Sequence, residues 1–213
     1  MVDIKTELVK GYKGIDIPIK TLSKNLNSKS LAIILPGAGY TSQAPLLHYS
    51  TGVFLNKSFD ILQVNYNYNH EEYKDFSEIS EAIKTDVSKV LDYFLSNKSY
   101  NNFYMIGKSL GTIAMSSELN KKVFKNAKAI WLTPLIQIED VLNAMVKSEN
   151  KGLMIIGDKD PCYTEERYLT IEENSNITPM LIPNVNHRLE YDDKPIESIE
   201  ILKEALKKID QFY

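Results

Sequence analysis

The sequence predicts an α/β protein: a mostly parallel central sheet with helices on both faces, entered through an antiparallel N-terminal hairpin. Two observations predict it. Short continuous apolar runs, of the kind that buried strands carry, alternate with longer stretches whose apolar residues recur at helical spacing. That alternation implies parallel strands joined by right-handed crossovers. Finally, residues 37–40, Ser109, residues 158–160 and His187 all fall where a predicted strand ends. Sheets of this class place their chemistry at that edge.

The elements follow in order. Residues 6–22 alternate apolar and polar, most clearly at Ile15, Ile17 and Ile19 against Asp16, Pro18 and Lys20. With Gly11 and Gly14 at the turn, this predicts a hairpin, and Pro18 suits an edge strand because it cannot donate to a ladder. Leu31 to Leu35 is a continuous apolar run and predicts a central strand, ending in Pro36-Gly37-Ala38-Gly39-Tyr40. A helix should start near Ala44-Pro45 and carry Leu46, Leu47, Tyr49, Val53, Phe54 and Leu55. Ile61 to Tyr66 predicts a strand, and the polar stretch from Asn67 to Lys74 a loop.

Asp75 and Glu78 have capping-box spacing ahead of a long helix. Its apolar stripe is Phe76, Ile79, Ile83, Val87, Val90, Leu91 and Phe94. Phe103 to Ile106 predicts a buried strand, and Ala114, Met115, Glu118 and Leu119 the helix after it. Strands are expected at Ala127 to Leu132, Leu153 to Ile156 and Pro179 to Pro183, with a helix from Ile138 to Val146. A final helix begins near Asp193, with Pro195 in its first turn and a stripe of Ile196, Ile199, Leu202, Leu206, Ile209 and Phe212.

The chain of 213 residues suits a single domain, 1–213, with a sizeable core. Hydrophobic residues make up 43% and charged residues 25%, ordinary values for a globular protein. A net charge of −3 argues against a nucleic-acid partner, and Arg167 and Arg188 are the only arginines available to grip phosphates. Cys162 is the only cysteine, so no intrachain disulfide is expected. The first seven residues lack the apolar core of a signal peptide, and the uncharged stretch from Ser30 to Asn56 is broken by Pro36, Gly37, Gly39 and Pro45. A cytoplasmic location with no membrane partner is expected. Oligomeric state is left open.

Between the strand ending near Ile106 and its helix lies Gly107-Lys108-Ser109-Leu110-Gly111. This is the G-x-S-x-G pattern of a nucleophile elbow, in which a serine on a sharp strand-to-helix turn is pushed out over the sheet edge. The glycines are needed because side chains there would collide as strand and helix fold back on each other. The free N–H groups at the start of the helix favour a developing negative charge. The plainest alternative is a glycine-rich turn. A phosphate loop is a third, since Gly-Lys-Ser is present, but it needs a glycine five positions before Gly107, where the chain has Asn102.

Gly157-Asp158-Lys159-Asp160-Pro161 follows one predicted strand, and His187 follows the last. The order serine, acid, histidine matches that of α/β-hydrolases. With Pro36-Gly37-Ala38-Gly39 after an early strand, the elbow at Ser109, the Gly-x-x-Asp-Pro element and His187, the chain resembles a small α/β-hydrolase over nearly its whole length. The elbow and the Gly-x-x-Asp-Pro element look most like the dienelactone-hydrolase-like branch and related serine esterases. The chain departs from dienelactone hydrolases in carrying Ser109 where they use cysteine, so their lactone substrate is not carried over.

The resemblance implies a nucleophile, Ser109; a base, His187; and an acid that orients it. Of the two acids, Asp160 matches the Asp-Pro position and Asp158 does not. Asp158 reads as a turn residue bonding to its own backbone. The oxyanion donors implied are the backbone N–H groups of Leu110 and Ala38, with Gly39 or Tyr40 as alternatives for the second. Tyr40 and Tyr66 sit at predicted strand ends, where they and Gly39 could line a pocket.

The remaining candidates read more plainly. His48 lies in a predicted helix and suits a partly buried core position; His70, among Asn69, Glu71 and Glu72, suits a solvated loop. No pair of histidines has metal-ligand spacing, so neither metal nor cofactor is expected. Cys162 reads as a small buried side chain rather than a reactive thiol. The expectation is a serine hydrolase acting on a small carboxylic ester or thioester through an acyl-enzyme, with no substantial cap domain. Two rivals are a peptidase or amidase with the same three residues and a non-catalytic binding protein on the same fold.

Overall fold

The computed structural model describes residues 1–25, 27–68 and 73–213. The expected loop from Asn67 to Lys74 falls partly, and His70 wholly, outside the described residues. The strands are β1 (Asp3–Lys10), β2 (Asp16–Ser23), β3 (Ser30–Leu35), β4 (Asp60–Val64), β5 (Asn102–Lys108), β6 (Lys128–Leu132), β7 (Gly152–Gly157) and β8 (Ile177–Ile182). They form one sheet in the order β1-β2-β4-β3-β5-β6-β7-β8. β2 is antiparallel to both β1 and β4, and the pairs from β4 to β8 are parallel.

The helices are α1 (Pro45–Asn56), α2 (Phe76–Asn97), α3 (Gly111–Glu118), α4 (Glu139–Val146), α5 (Glu165–Glu172) and α6 (Pro195–Gln211). Period-two alternation along the strands sorts them into two layers. Leu31, Ile33, Met105, Trp131, Met154 and Ile156 face a core that also holds residues of α2, α3, α4 and α5. Their neighbours Ala32, Ile34, Ile106, Ile130, Leu153 and Ile155 face the core under α1 and α6. Both faces of the central strands are therefore covered, which is why those strands read as unbroken apolar runs. Between β6 and β7 lies only α4, so no cap is inserted there. Among the described residues no helix is long and apolar enough to cross a membrane.

Four expectations need correcting. Pro18 is not on an edge strand: β2 lies between β1 and β4. The proline is tolerated because its carbonyl accepts from Asn65 N–H (2.9 Å), one residue beyond the β2–β4 register, so its missing N–H faces the end of that ladder. On α6 the buried face is Ser198, Ile201, Ala205 and Ile209, while Ile196 and Ile199 are exposed. Phe76 on α2 and both Tyr49 and His48 on α1 are exposed too, His48 meeting the Tyr49 ring edge-on. α5 was not foreseen; its Thr164 cap, acidic first turn and sparse apolar residues give little periodicity to read.

α2 carries a buried carboxylate that the apolar stripe conceals. Asp86 accepts from Tyr12 N (2.5 Å) and the Tyr68 hydroxyl (2.7 Å), tying the β1–β2 turn to the helix. The capping expectation at the start of α2 is realised with one change. Asp75 accepts from Glu78 N, but Glu78 reaches back to Lys74 N rather than to Asp75 N.

Candidate active site

The parallel register brings the ends of β3, β5, β6, β7 and β8 to one edge: Leu35 lies beside Gly107, Lys108 beside Leu132, and Gly157 beside Ile182. Ser109 leaves β5 at φ 50, in the left-handed region that a serine rarely adopts. Such a conformation costs about 1–3 kcal/mol and persists only where its surroundings enforce it. Here they do. Ser109 N–H donates to Leu132 O at 3.0 Å, anchoring the turn to β6.

The glycines of the elbow make its close approaches. A Cβ on Gly107 would meet the Met115 sulfur at 2.3 Å and the Gly111 backbone at 3.1 Å; one on Gly111 would meet Leu35 O at 2.2 Å. Gly107 thus lets α3 fold back on β5, whereas Gly111 makes room for the neighbouring strand β3. Thr133, Asn184 and Leu189 also take positive φ on loops at this edge.

Three side chains from three loops converge. Ser109 Oγ lies 2.8 Å from His187 Nε2. His187 Nδ1 lies 2.9 and 2.8 Å from the two oxygens of Asp160. The Asp160 side chain is fully buried, while the His187 ring keeps 30% of its surface exposed, a gradient from protein interior to solvent. An ionised carboxylate can only accept, so Nδ1 must donate, which leaves Nε2 as the acceptor for the serine hydroxyl. Asp160 Oδ1 also accepts from Cys162 N–H at 2.8 Å.

The structure does not bring Asp158 to the histidine. Its carboxylate accepts from Asn184 N–H at 2.6 Å, bracing the β7 loop against the loop after β8. The same two loops touch at Gly157, where a Cβ would sit 2.0 Å from Val185 O.

The loop after β3 approaches the same point, for a Cβ on Gly37 would lie 3.2 Å from Ser109 Cβ. Gly37 N–H donates to Tyr40 O, closing the turn. Among the described residues, the N–H groups of Ala38 and Leu110 enter no hydrogen bond. Gly39 has open space around it. Tyr66 is buried beneath the loop, stacked on Tyr68, and donates its hydroxyl to Pro36 O at 2.6 Å. Tyr40 accepts from Leu46 N–H and lines a cavity of 340 Å³ with Leu46, Arg188, Leu189, Glu190 and Tyr191. Neither Ser109 nor His187 lines that cavity.

Lys108 escaped the sequence reading except as part of a rejected phosphate loop. It is among the largest fully buried side chains of the chain. Its Nζ donates to Thr133 Oγ1 (2.6 Å) and to the carbonyl of His187 (2.8 Å), and lies 4.7 Å from the centre of the Tyr40 ring. Burial pushes the ammonium down to about 8 against the upward pull of the Asp160 carboxylate. The available signal was its place at the end of a buried strand, where a lysine must find partners.

The oxygen, sulfur and nitrogen donors of Asp160, Cys162 and His187 lie within 4.8 Å of one another, a spacing that could hold a metal ion. Two of these donors are already hydrogen-bonded to each other, and burial pushes the Cys162 thiol up to about 11, far from the thiolate that a metal requires.

No protein-family model matches the chain, and a search of curated proteins finds no relative. Solved structures do match it. An esterase of Pyrococcus furiosus is 14% identical with a TM-score of 0.75, over 99% of this chain and 91% of the other. An α/β serine hydrolase homologue from Coxiella burnetii is 15% identical with a TM-score of 0.73, over 97% and 96%. A Xanthomonas campestris protein described as an α/β serine hydrolase without a lid is 13% identical with a TM-score of 0.69, over 97% and 94%. At these identities the similarity speaks to architecture. The chain has the α/β-hydrolase fold, in a form without a cap.

Proposed function

We propose that this chain, as a single domain, is a serine hydrolase that cleaves a small carboxylic ester or thioester through an acyl-enzyme. One observation carries the reading: the strained Ser109 places its hydroxyl 2.8 Å from the Nε2 of a histidine whose other nitrogen is held by a fully buried carboxylate. A serine hydroxyl is a poor nucleophile until a base takes its proton during attack. His187 is that base. As Oγ adds to the substrate carbonyl, the proton passes to Nε2, and Asp160 stabilises the imidazolium without becoming protonated.

The negative charge that develops on the carbonyl oxygen goes to the N–H groups of Leu110 and Ala38, which fixed backbone holds ready at no reorganisation cost. His187 then gives its proton to the departing alcohol or thiol. Water then attacks the acyl carbonyl, losing a proton to Nε2; the bond to Ser109 Oγ breaks, Oγ takes that proton back from His187, and the acid is released. The neighbours described as esterases and serine hydrolases support this reading of the geometry.

A fluorophosphonate probe tests it. The wild-type protein should carry one adduct, mapped to Ser109, and Ser109→Ala should lose both the adduct and ester turnover by as much as about a million-fold. Wild-type turnover in pure Ser109→Ala protein would overturn the assignment.

A further inference from the structure

We infer that Lys108 is a positioning residue: its buried ammonium is a strut that holds the His187 backbone, and through it the imidazole, in line between Ser109 and Asp160. The inference rests on the hydrolase reading for its kinetic consequences and on geometry for its substance. Lys108 closes β5 and precedes the nucleophile, so its backbone is fixed by the sheet. Its side chain runs beneath the elbow and donates to Thr133 Oγ1 on the loop after β6 and to His187 O on the loop after β8. Thr133, buried and at φ 41, is itself pinned by its N–H to Ile155 O at 2.7 Å. The Tyr40 ring covers the remaining side of the ammonium. One group therefore joins the loops after β3, β6 and β8 to the residue before the nucleophile.

The His187 loop needs such a tie. It runs through Asn184 and Leu189 at positive φ and rests on Gly157 and Asp158 from the β7 side. None of those contacts reaches the carbonyl of His187 itself. A charge-assisted bond to that carbonyl is roughly twice as strong as a neutral one. The ionisable groups around the ammonium come from two loops: Asp160 and Cys162 after β7, and Glu190 and Arg188 after β8. Burial outweighs the attraction of the acids, so the ammonium gives up its proton near pH 8, within the range where the enzyme can be assayed. A neutral amine still fits the cavity but holds the carbonyl less firmly.

Lys108→Met tests this, because it conserves volume and removes the charge. It also leaves Thr133 Oγ1 and the His187 carbonyl without their donor, which costs some stability. The melting temperature should fall by only a few degrees, while kcat falls on the order of a hundred-fold with KM little changed, as expected for a misplaced catalytic group. Wild-type activity should decline as pH rises through about 8, and that alkaline limb should be absent in Lys108→Met. Histidine ring NMR provides a readout free of turnover: the His187 resonances of the wild type should show an inflection near pH 8 that the variant lacks. Unchanged kcat with the alkaline limb intact in Lys108→Met, or no such NMR difference, overturns the inference. A wild type that neither labels with fluorophosphonate nor hydrolyses esters, yet shows the NMR inflection, overturns the hydrolase reading and supports the strut.

Discussion

Asp160→Asn is the sharpest probe of how the acid works, because the structure dictates which way the new amide must face. In the native site Nδ1 of His187 lies 2.9 Å from Oδ1 and 2.8 Å from Oδ2. Oδ1 is also the acceptor for the buried Cys162 N–H at 2.8 Å. An asparagine has one carbonyl oxygen. Turning its NH2 toward Cys162 would set donor against donor and strand a buried N–H, at about 1–3 kcal/mol. The oxygen therefore stays on the Cys162 side, and the NH2 takes the Oδ2 position, pointing at Nδ1 from the shorter distance. Nδ1 avoids that clash by giving up its proton, which moves to Nε2 and faces the serine hydroxyl. Nε2 can then no longer accept. Turnover should drop on the order of ten-thousand-fold, the size of effect known for this kind of tautomer reversal. The fold should survive, since a buried charge is lost and no heavy atom is added. Ester hydrolysis by purified protein, with melting temperature as control, measures it. Asp158→Asn should be mild by comparison, because that carboxylate serves the Asn184 backbone and not the imidazole. A Asp160→Asn variant within tenfold of wild type, or a larger loss in Asp158→Asn, would refute the reasoning.

Two further outcomes are expected. Gly157→Ala puts a Cβ 2.0 Å from Val185 O against a floor of 3.0 Å, so the β7 and β8 loops must part by at least 1 Å; kcat should fall on the order of a hundred-fold together with the melting temperature, and wild-type values of both would show that the contact is not what sets the His187 loop. In a series of nitrophenyl esters from acetate to laurate, kcat/KM should plateau or fall beyond short chains, because without a cap each added methylene gains little of the about 0.8 kcal/mol available on full burial. A steady rise to the longest chain would point instead to an apolar channel at the site.

What the sequence made legible follows from which forces act locally. The central strands were readable because both their faces are buried, so residues 31–35, 103–106, 129–132 and 153–156 are apolar without interruption. The order of motifs along the chain was readable because each chemical residue follows a strand end, and parallel topology then gathers strand ends at one edge. The phase of α6 was not. Its sequence offers Ile196 and Ile199 as well as Ile201, and only the docking of the helix on the sheet chooses Ser198, Ile201, Ala205 and Ile209 for burial. Pro18 misled for a related reason. A missing N–H excludes a strand interior only where a partner would have faced it, and the length of β4 lies elsewhere in the chain.

Polar residues that are buried were hardest to read. Asp86 and Lys108 look like surface residues by type, and each is committed to partners far away in sequence: Tyr12 and Tyr68 for the first, Thr133 and His187 for the second. Their cost is physical and informative. A buried charge needs hydrogen bonds on every side, so it can persist only where several segments are already fixed in position. Asp86 marks where the N-terminal hairpin is fastened to the long helix. Lys108 marks where the loops after β3, β6 and β8 meet beneath Ser109. Ser109, His187 and Asp160 could be proposed from their motif order and from the resemblance, which preferred Asp160 to Asp158. The groups that hold them in line lie in the tertiary contacts, and there the strength of a site of this kind is decided, since a serine and an imidazole act together only while the distance between them is kept.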